Sequence, residues 1–472
     1  MRTSRCRPRL QIVALLTSAA VLGGCASFSP DGGFSAIEQT AKDRLGKNVR
    51  WARSDADQDA IDKRVAELLA KPLTADNAVQ TALLNNRGLR AAFHELRISE
   101  ADLVQAGRLP NPGLAFARKT QGSALEIERL FTLDLAHLIA IPLAKEFESR
   151  RFAQTQALVT QEMLALAADT RKAYYLAVAA NETVRYMRQV MSAAEAAADL
   201  GRRMVQAGNW NKLQQAREQS FYADAALNLA RAGQAQSMAR ERLTRLMGLW
   251  GAQAAFQLVE RLPDLPARPD DLPEVEQLAM AQRLDVRAAR LATEQLAANL
   301  GLTRTTRFIN VLEVGAIRNS FNDAPSQRGY EIGFELPLFD WGDARVAKAE
   351  SIYRQALDRA AETAINARSE VRLAYLSYRS MYDIARHHRD EIMPLRQRIA
   401  EENVLRYNGM LIGVFELLAD ARAQIASVNN TIESLRDFWI AQADLDMALI
   451  GKASLATPAG PAIAAEPGGA AH

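Results

Sequence analysis

Two pairs of side chains could do chemistry if the fold placed them suitably. Glu416 and Asp420 lie four positions apart, so on a helix both carboxylates would share one face and could attract cations. His387 and His388 are adjacent, and neighbouring helical positions point about 100° apart, which is unfavourable for binding one metal ion. We therefore predict no metal site and treat the two carboxylates as candidate ion-attracting groups, with ordinary solvated helix residues as the alternative.

The sequence carries no common catalytic signature. Gly-x-Ser-x-Gly, His-Glu-x-x-His, a phosphate-binding loop and paired cysteines are all missing, and the 5 histidines are scattered. We therefore predict a protein that is not an enzyme and that needs no cofactor.

The N-terminus reads as a secretory signal peptide over residues 1–24. An apolar stretch from Leu10 to Leu22 follows four arginines, Arg2, Arg5, Arg7 and Arg9. The segment Leu22-Gly23-Gly24-Cys25 resembles the lipobox of bacterial lipoproteins, in which the cysteine thiol is lipidated before cleavage. Cys25 is therefore the predicted lipidation site, and Ala26 in place of an aspartate indicates the outer membrane. An ordinary signal peptide or an uncleaved apolar anchor is the alternative.

Charge and cysteine content constrain the partners of the mature chain. The whole sequence has 58 basic and 55 acidic residues, and loss of the four signal arginines makes the two counts nearly equal. This balance gives no argument for nucleic acid or anionic lipid as a partner. Cleavage also removes Cys6, which leaves no pair of thiols for an intramolecular disulfide.

A set of short landmarks occurs twice, in the same order and about 200 residues apart, which predicts a tandem duplication. The matching segments are Asn85–Ala92 with Gln282–Ala289, Ile141–Leu143 with Leu336–Leu338, Gly208 with Gly409, and Leu246–Gly248 with Leu449–Gly451. The predicted division is a lipidated N-terminal segment (25–70), a first repeat (71–250), a proline-rich linker (251–272), a second repeat (273–451) and a disordered tail (452–472).

Each repeat is predicted to contain a helix, two strands, a very long helix, a tight turn and a return helix. In the first repeat the long helix is expected over 143–207, on the order of 100 Å at 1.5 Å per residue, with the three-and-four spacing of a coiled coil. Gly208 and Gly409, which tolerate positive φ, should end the long helices at a tip. The return helices are expected over 213–247 and 415–450.

The strands of both repeats alternate between apolar and polar side chains. In the segment 330–338, one face carries Tyr330 and every second residue after it, while Glu331 and Glu335 lie on the other face. The segment 127–135 alternates similarly, although Arg129 interrupts its apolar side. This pattern is typical of a membrane barrel wall, where Glu331 and Glu335 would line the lumen. A sheet packed on a soluble core is the alternative.

Four strands cannot enclose a lumen, because about eight are needed merely to surround packed side chains. A pore therefore requires several chains, and three copies would supply twelve strands.

Together these features resemble the TolC-like outer-membrane factor family. The segments that carry the resemblance are Leu109-Pro110-Asn111-Pro112-Gly113, Glu335–Gly342, and Gly409 followed by Val414–Leu418. The resemblance implies a mainly α fold with a small β part, in which duplicated long-helix hairpins form a periplasmic α-barrel. Four strands per chain would contribute to a trimeric membrane β-barrel of twelve strands. The chain departs from the family at Asn85-Asn86-Arg87, where Asn-Asn-Pro is usual.

The resemblance also implies a function and partners. The chain would be the outer-membrane exit duct of a tripartite efflux system, lipid-anchored, with a large periplasmic extension. A periplasmic adaptor and an inner-membrane pump of the RND type would be its partners, together with outer-membrane lipid. Glu416 and Tyr407 match family positions at a gated tip, whereas the second family acid falls on Ala419. A periplasmic coiled-coil adaptor or scaffold lipoprotein, and a type I protein-secretion channel, are the alternatives.

Overall fold

The computed structural model describes residues 27–308 and 311–452. The signal peptide 1–24, the predicted lipidation site Cys25 and the tail beyond Lys452 lie outside the described residues. The helices are α1 (Ser35–Leu45), α2 (Asp55–Leu69), α3 (Ala75–Asn85), α4 (Arg87–Ala106), α5 (Leu135–Gln206), α6 (Lys212–Leu246), α7 (Val275–Gln282), α8 (Leu284–Thr306), α9 (Asp343–His387), α10 (Met393–Asn408) and α11 (Val414–Ile450). The strands are β1 (Gly113–Gln121), β2 (Ala124–Asp134), β3 (Leu312–Phe321) and β4 (Gln327–Phe334).

The order of elements occurs twice. The series α3, α4, β1, β2, α5, α6 is followed by α7, α8, β3, β4, α9 with α10, and α11. Asn86 and Arg283, the residues that join the paired helices α3–α4 and α7–α8, share an extended backbone near φ −65° and ψ 123°. The predicted fold is confirmed: it is mainly helical, it consists of duplicated long-helix hairpins, and it includes a small sheet.

The strands form one antiparallel sheet in the order β1-β2-β3-β4. Each repeat contributes one hairpin, and the central pairing of β2 with β3 joins the hairpins, with Phe131 opposite Ala316. The first hairpin turns through Gly122, whose φ of +60° favours glycine. One sheet is therefore assembled from segments about 190 residues apart in the chain.

The predicted start of the first long helix is wrong. The helix α5 begins at Leu135, directly after β2, and runs for 72 residues with Pro142 inside it. The carboxylate of Asp134 accepts a hydrogen bond from the backbone N–H of His137 at 2.9 Å, which caps the new helix and lets the strand pass into it without a loop.

The predicted end of the last strand is also too late. The strand β4 ends at Phe334, so Glu335 and Leu338 lie beyond it. Pro337 has no N–H to donate to a ladder, which explains why pairing does not extend to residue 338.

The two tips turn differently. Gly208 has φ +77°, while Gly409 has a negative φ of −79° and the left-handed conformation falls on Met410, at +59°. A π-helical turn, His388–Ile392, separates α9 from α10 in the second repeat, whereas α5 is uninterrupted.

The chain forms two compact units, and each draws on both repeats. The first contains residues 27–51, Arg87–Met163 and Leu284–Asn366, and the second contains Ala52–Asn86, Leu164–Arg283 and the residues from Ala367 onward. The predicted division into repeats and linker stays a prediction. Among residues 27–308 and 311–452, no helix combines the length and the apolarity needed to cross a bilayer.

Each unit has its own apolar core. In the first, Phe34 packs edge-on against Phe93 with ring centroids 4.9 Å apart, so α1 is held against α4. In the second, residues of α2, α3, α5 and α6 pack together, and the hydroxyl of Tyr174 donates to the backbone oxygen of Leu73 at 3.0 Å. The long helices are therefore anchored by tertiary packing rather than by helix propensity alone.

The ends of the return helices are capped by different residues in the two repeats. The side-chain amide of Asn85 donates to the carbonyl of Gly248 at 2.7 Å, and that of Asn86 donates to the carbonyl of Leu246 at 2.9 Å, which satisfies the end of α6. In the second repeat the buried guanidinium of Arg283 donates to the carbonyl of Ala448 at 3.1 Å and pairs with Glu370 at 2.7 Å.

Gly248→Ala should destabilise the fold by about 3 kcal/mol, through the cost of a left-handed alanine and a steric clash. Gly248 has φ +67°, and an added Cβ would lie 2.7 Å from the backbone oxygen of Asn85. Gly208→Ala is the matched control, because Gly208 has φ +77° and open space around it, so about 1 kcal/mol is expected. Urea unfolding of both variants measures the difference, and equal losses would contradict the close contact.

Candidate functional site

The carboxylates predicted at the tip lie in different surroundings. Glu416 is exposed on the first turn of α11 and makes no ion pair or hydrogen bond within the described part of the chain. Asp420, one turn later, is half-buried and accepts a hydrogen bond from the amide of the buried residue Asn403. The structure therefore leaves Glu416 available to attract an ion and ties Asp420 to α10.

Tyr407 lies on the last turn of α10 and is 38% exposed. Its backbone oxygen accepts the N–H of Met410 at 3.0 Å. Within residues 27–308 and 311–452 its hydroxyl makes no hydrogen bond, so a role in holding the tip closed would require a partner outside the described part of this chain.

An ion pair with two hydrogen bonds lies near the tip, and the sequence does not predict it. The guanidinium of Arg422 on α11 donates to both carboxylate oxygens of Glu218 on α6, each at 3.0 Å. Glu218 is 1% exposed, and the guanidinium also lies 4.5 Å from the ring centroid of Phe221. Helical periodicity could have indicated that Glu218 is buried, because it shares a helix face with Phe221 and with the buried residue Ala225.

A second buried ion pair lies on α5 and α11. The ammonium of Lys172 is 2.9 Å from carboxylates of both Asp444 and Asp169. Burial raises the pKa of Asp444 above its ordinary value of 3.8, while the hydrogen bond and charge of Lys172 oppose that increase. Lys172 therefore compensates a carboxylate that is costly to keep ionised.

The sheet has one acidic face. The strand registers place Glu331 on the same face as four other carboxylates, those of Glu126, Glu128, Asp134 and Glu313. Lys119 is the basic residue of this face, and its ammonium is 2.7 Å from Glu128. Glu335 lies past the end of β4, so the strand register does not assign it to this face.

The opposite face of the sheet is apolar and exposed. Leu114 is 79% exposed, Tyr330 80% and Phe334 63%, and the register places them beside Phe131 and Ile332. An apolar patch of this extent on a folded chain marks a surface for contact with a membrane or another protein.

The adjacent histidines do not gather metal ligands. His387 is exposed, with its Nδ1 atom 3.1 Å from the Glu391 carboxylate, and burial lowers the pKa of His388. Across the described ranges of the chain, no group of three or more His, Cys, Asp and Glu side chains is arranged to hold a metal ion.

Comparisons with known proteins agree with this architecture. The chain is 28% identical, over 313 residues, to the cobalt-zinc-cadmium resistance protein CzcC of Cupriavidus metallidurans, a match covering 63% of this chain and 70% of that protein. No protein-family model matches. Among solved structures, the outer membrane channel CmeC of Campylobacter jejuni superposes with a TM-score of 0.70 at 16% identity, covering 80% of this chain and 85% of that one. CusC, described for its transmembrane channel formation, gives 0.66 at 17% identity, with 80% and 92% covered.

The fold is thus that of the outer-membrane channels, with long helical hairpins joined to a small antiparallel sheet. This similarity agrees with the resemblance to the TolC-like outer-membrane factor family that the sequence motifs indicate.

Proposed function

We propose that this chain forms the outer-membrane exit duct of a tripartite efflux system, passively conducting substrates that an inner-membrane pump expels. The observation that carries the proposal is the sheet, which presents an exposed apolar face and an acidic opposite face on the same four strands. A wall of this kind separates lipid from a water-filled lumen.

The proposed assembly is a homotrimer. Within the described residues, β1 and β4 are the edge strands of the sheet, and an open strand edge is not tolerated in the hydrocarbon of a membrane. Pairing β4 of one copy with β1 of the next would satisfy both edges, and three copies would give a closed barrel. A coiled-coil adaptor or scaffold lipoprotein is the alternative, and it would need a protein partner to cover the exposed apolar face.

Divalent metal cations are the substrate class that we propose. Five carboxylates against one ammonium on the acidic face of the strands would make the lumen attractive to cations. The curated relative CzcC is named for resistance to cobalt, zinc and cadmium, which supports this choice over small toxic compounds or proteins.

The remaining parts of the proposal concern the ends of the duct. A lipidated Cys25 would anchor the chain to the outer membrane, and a periplasmic adaptor with a pump of the RND type would engage the helical tip. Three copies of Glu416 would form a carboxylate ring near the axis, with Tyr407 beside it. The tip would open as an iris when its partners bind, because binding favours the open state.

The test is conductance of the purified mature protein in planar bilayers, preceded by its native mass in detergent. We expect a mass of three chains and a small cation-selective current that falls severalfold when Glu416→Gln removes the charge ring. Glu391→Gln, an exposed helix carboxylate away from the tip turn, is the matched control and should leave selectivity unchanged. A monomer without any current, in the presence and absence of the tip substitution, would refute the channel proposal.

A further inference from the structure

A row of arginines crosses the apolar face of the sheet. The strand registers place Arg129 directly opposite Arg318, and Arg318 directly opposite Arg328, with Phe116 completing the same rung. We call Arg129, Arg318 and Arg328 the arginine row. Because its members come from β2, β3 and β4, it joins the hairpins of both repeats.

The arginine row lies on the apolar face and not on the acidic face. Residues two apart on a strand share a face, and Phe131 and Tyr330 lie two positions from Arg129 and Arg328. The row lies on the side of the apolar residues that is nearer the hairpin turns, since Arg328 is the second residue of β4. From the helices toward the turns, the face is therefore mainly apolar and then carries the arginine row, with Arg118, Ile127 and Ser320 in the next rung beyond it.

The described residues supply no carboxylate partner to the arginine row. Like charges directly opposite each other, with Cβ atoms about 5 Å apart, destabilise a sheet. Arg129 donates to the neutral hydroxyl of Ser320 at 3.1 Å, and within residues 27–308 and 311–452 no carboxylate pairs with any of the three guanidinium groups. All three are exposed, and the sheet's carboxylates lie on the other face.

We propose that the arginine row binds phosphate groups of the lipid in the outer leaflet. This rests on the proposed barrel function, which turns the apolar face toward lipid. An arginine on that face is tolerated near the membrane surface and not at its midplane, so the row lies at the level of the headgroups. Guanidinium groups bind phosphate oxygens in a bidentate manner, and one phosphate between Arg129 and Arg318 would relieve their repulsion and bridge the two hairpins.

The test compares lipid binding by the full mature protein and by the variant Arg129→Gln/Arg318→Gln/Arg328→Gln. The probe is lipid A, a glycolipid with two phosphates, and its enzymatically dephosphorylated form, each added to detergent-solubilised protein and counted by native mass spectrometry. The control variant Arg188→Gln/Arg217→Gln/Arg398→Gln removes the same charge from exposed helix positions.

We expect wild type and the control variant to bind lipid A at least tenfold more tightly than the row variant does, and more tightly than either binds the dephosphorylated lipid. If the row variant fails to fold, the comparison of the two lipids on wild type alone decides. Equal binding of both lipids, or displacement of lipid A by millimolar inorganic phosphate, would overturn the proposal. Native mass and conductance are measured on the same samples, so a wild type that is trimeric and conducting but lacks phosphate preference refutes this inference alone.

Discussion

Replacing Arg422 with methionine should destabilise the contact between α6 and α11 near the tip by about 3 kcal/mol. This is the cost of leaving a buried carboxylate unpaired. Glu218 is 1% exposed and loses both of its 3.0 Å contacts in this variant. In a channel whose closed state depends on the contact between α6 and α11, this energy would raise the open population by a factor of about 100. Hydrogen exchange of amides on α6 and α11, together with single-channel conductance, measures both effects.

A second substitution should restore the contact that Arg422→Met removes. The double variant Glu218→Met/Arg422→Met removes both charges and should recover much of the exchange protection, because an apolar pair of similar volume can replace a buried ion pair. Arg398→Met, at an exposed site on α10, is the control for loss of a positive charge. Unchanged exchange in Arg422→Met, or a double variant that is worse than the single one, would show that the pair does not hold these helices together.

Lys172→Met should destabilise the chain at pH 7 by about 3 kcal/mol, and the loss should shrink in acid. Burial already raises the pKa of Asp444, and removing Lys172 removes the two contributions that lower it. A carboxyl with a raised folded-state pKa contributes stability that is present below its ordinary value of 3.8 and is lost as pH rises through the folded value. The free energy of unfolding of the variant therefore falls more than that of wild type between pH 4 and pH 7.

Urea unfolding followed by circular dichroism at several pH values between 4 and 7 tests this. Lys145→Met lies on the same helix at an exposed position and should follow wild type across the range. If the loss of unfolding free energy in Lys172→Met were the same at every pH, the missing contact would act by packing and not through the charge of Asp444.

Local patterns predicted the fold well. The alternation of apolar and acidic residues predicted strands, the duplicated landmarks predicted the repeated order of elements, and the glycine at 208 marked a tip turn. The errors at α5 and β4 arose at boundaries. The start of α5 depends on one capping contact of Asp134, and the end of β4 depends on where its pairing stops, before Pro337. Neither feature is visible as periodicity in the sequence.

The contacts between distant segments could not be predicted. Arg129 interrupts an apolar pattern in the sequence, but its alignment with Arg318 requires the register of β2 against β3, which hydrophobic alternation fixes only to within two residues. The partner of Glu218 is 204 positions away, and nothing local to α6 specifies it. Glu416 was the simpler case, because an exposed carboxylate after a turn keeps the surroundings that the sequence suggests.

The different caps on the two return helices have an evolutionary consequence. The first repeat closes with neutral amides of Asn85 and Asn86, and the second with the charged pair of Arg283 and Glu370. An ancestor made of identical half-length chains would have used one kind of cap throughout. The two halves have therefore diverged at this cap, and neither repeat closes its return helix with the contacts that the other uses.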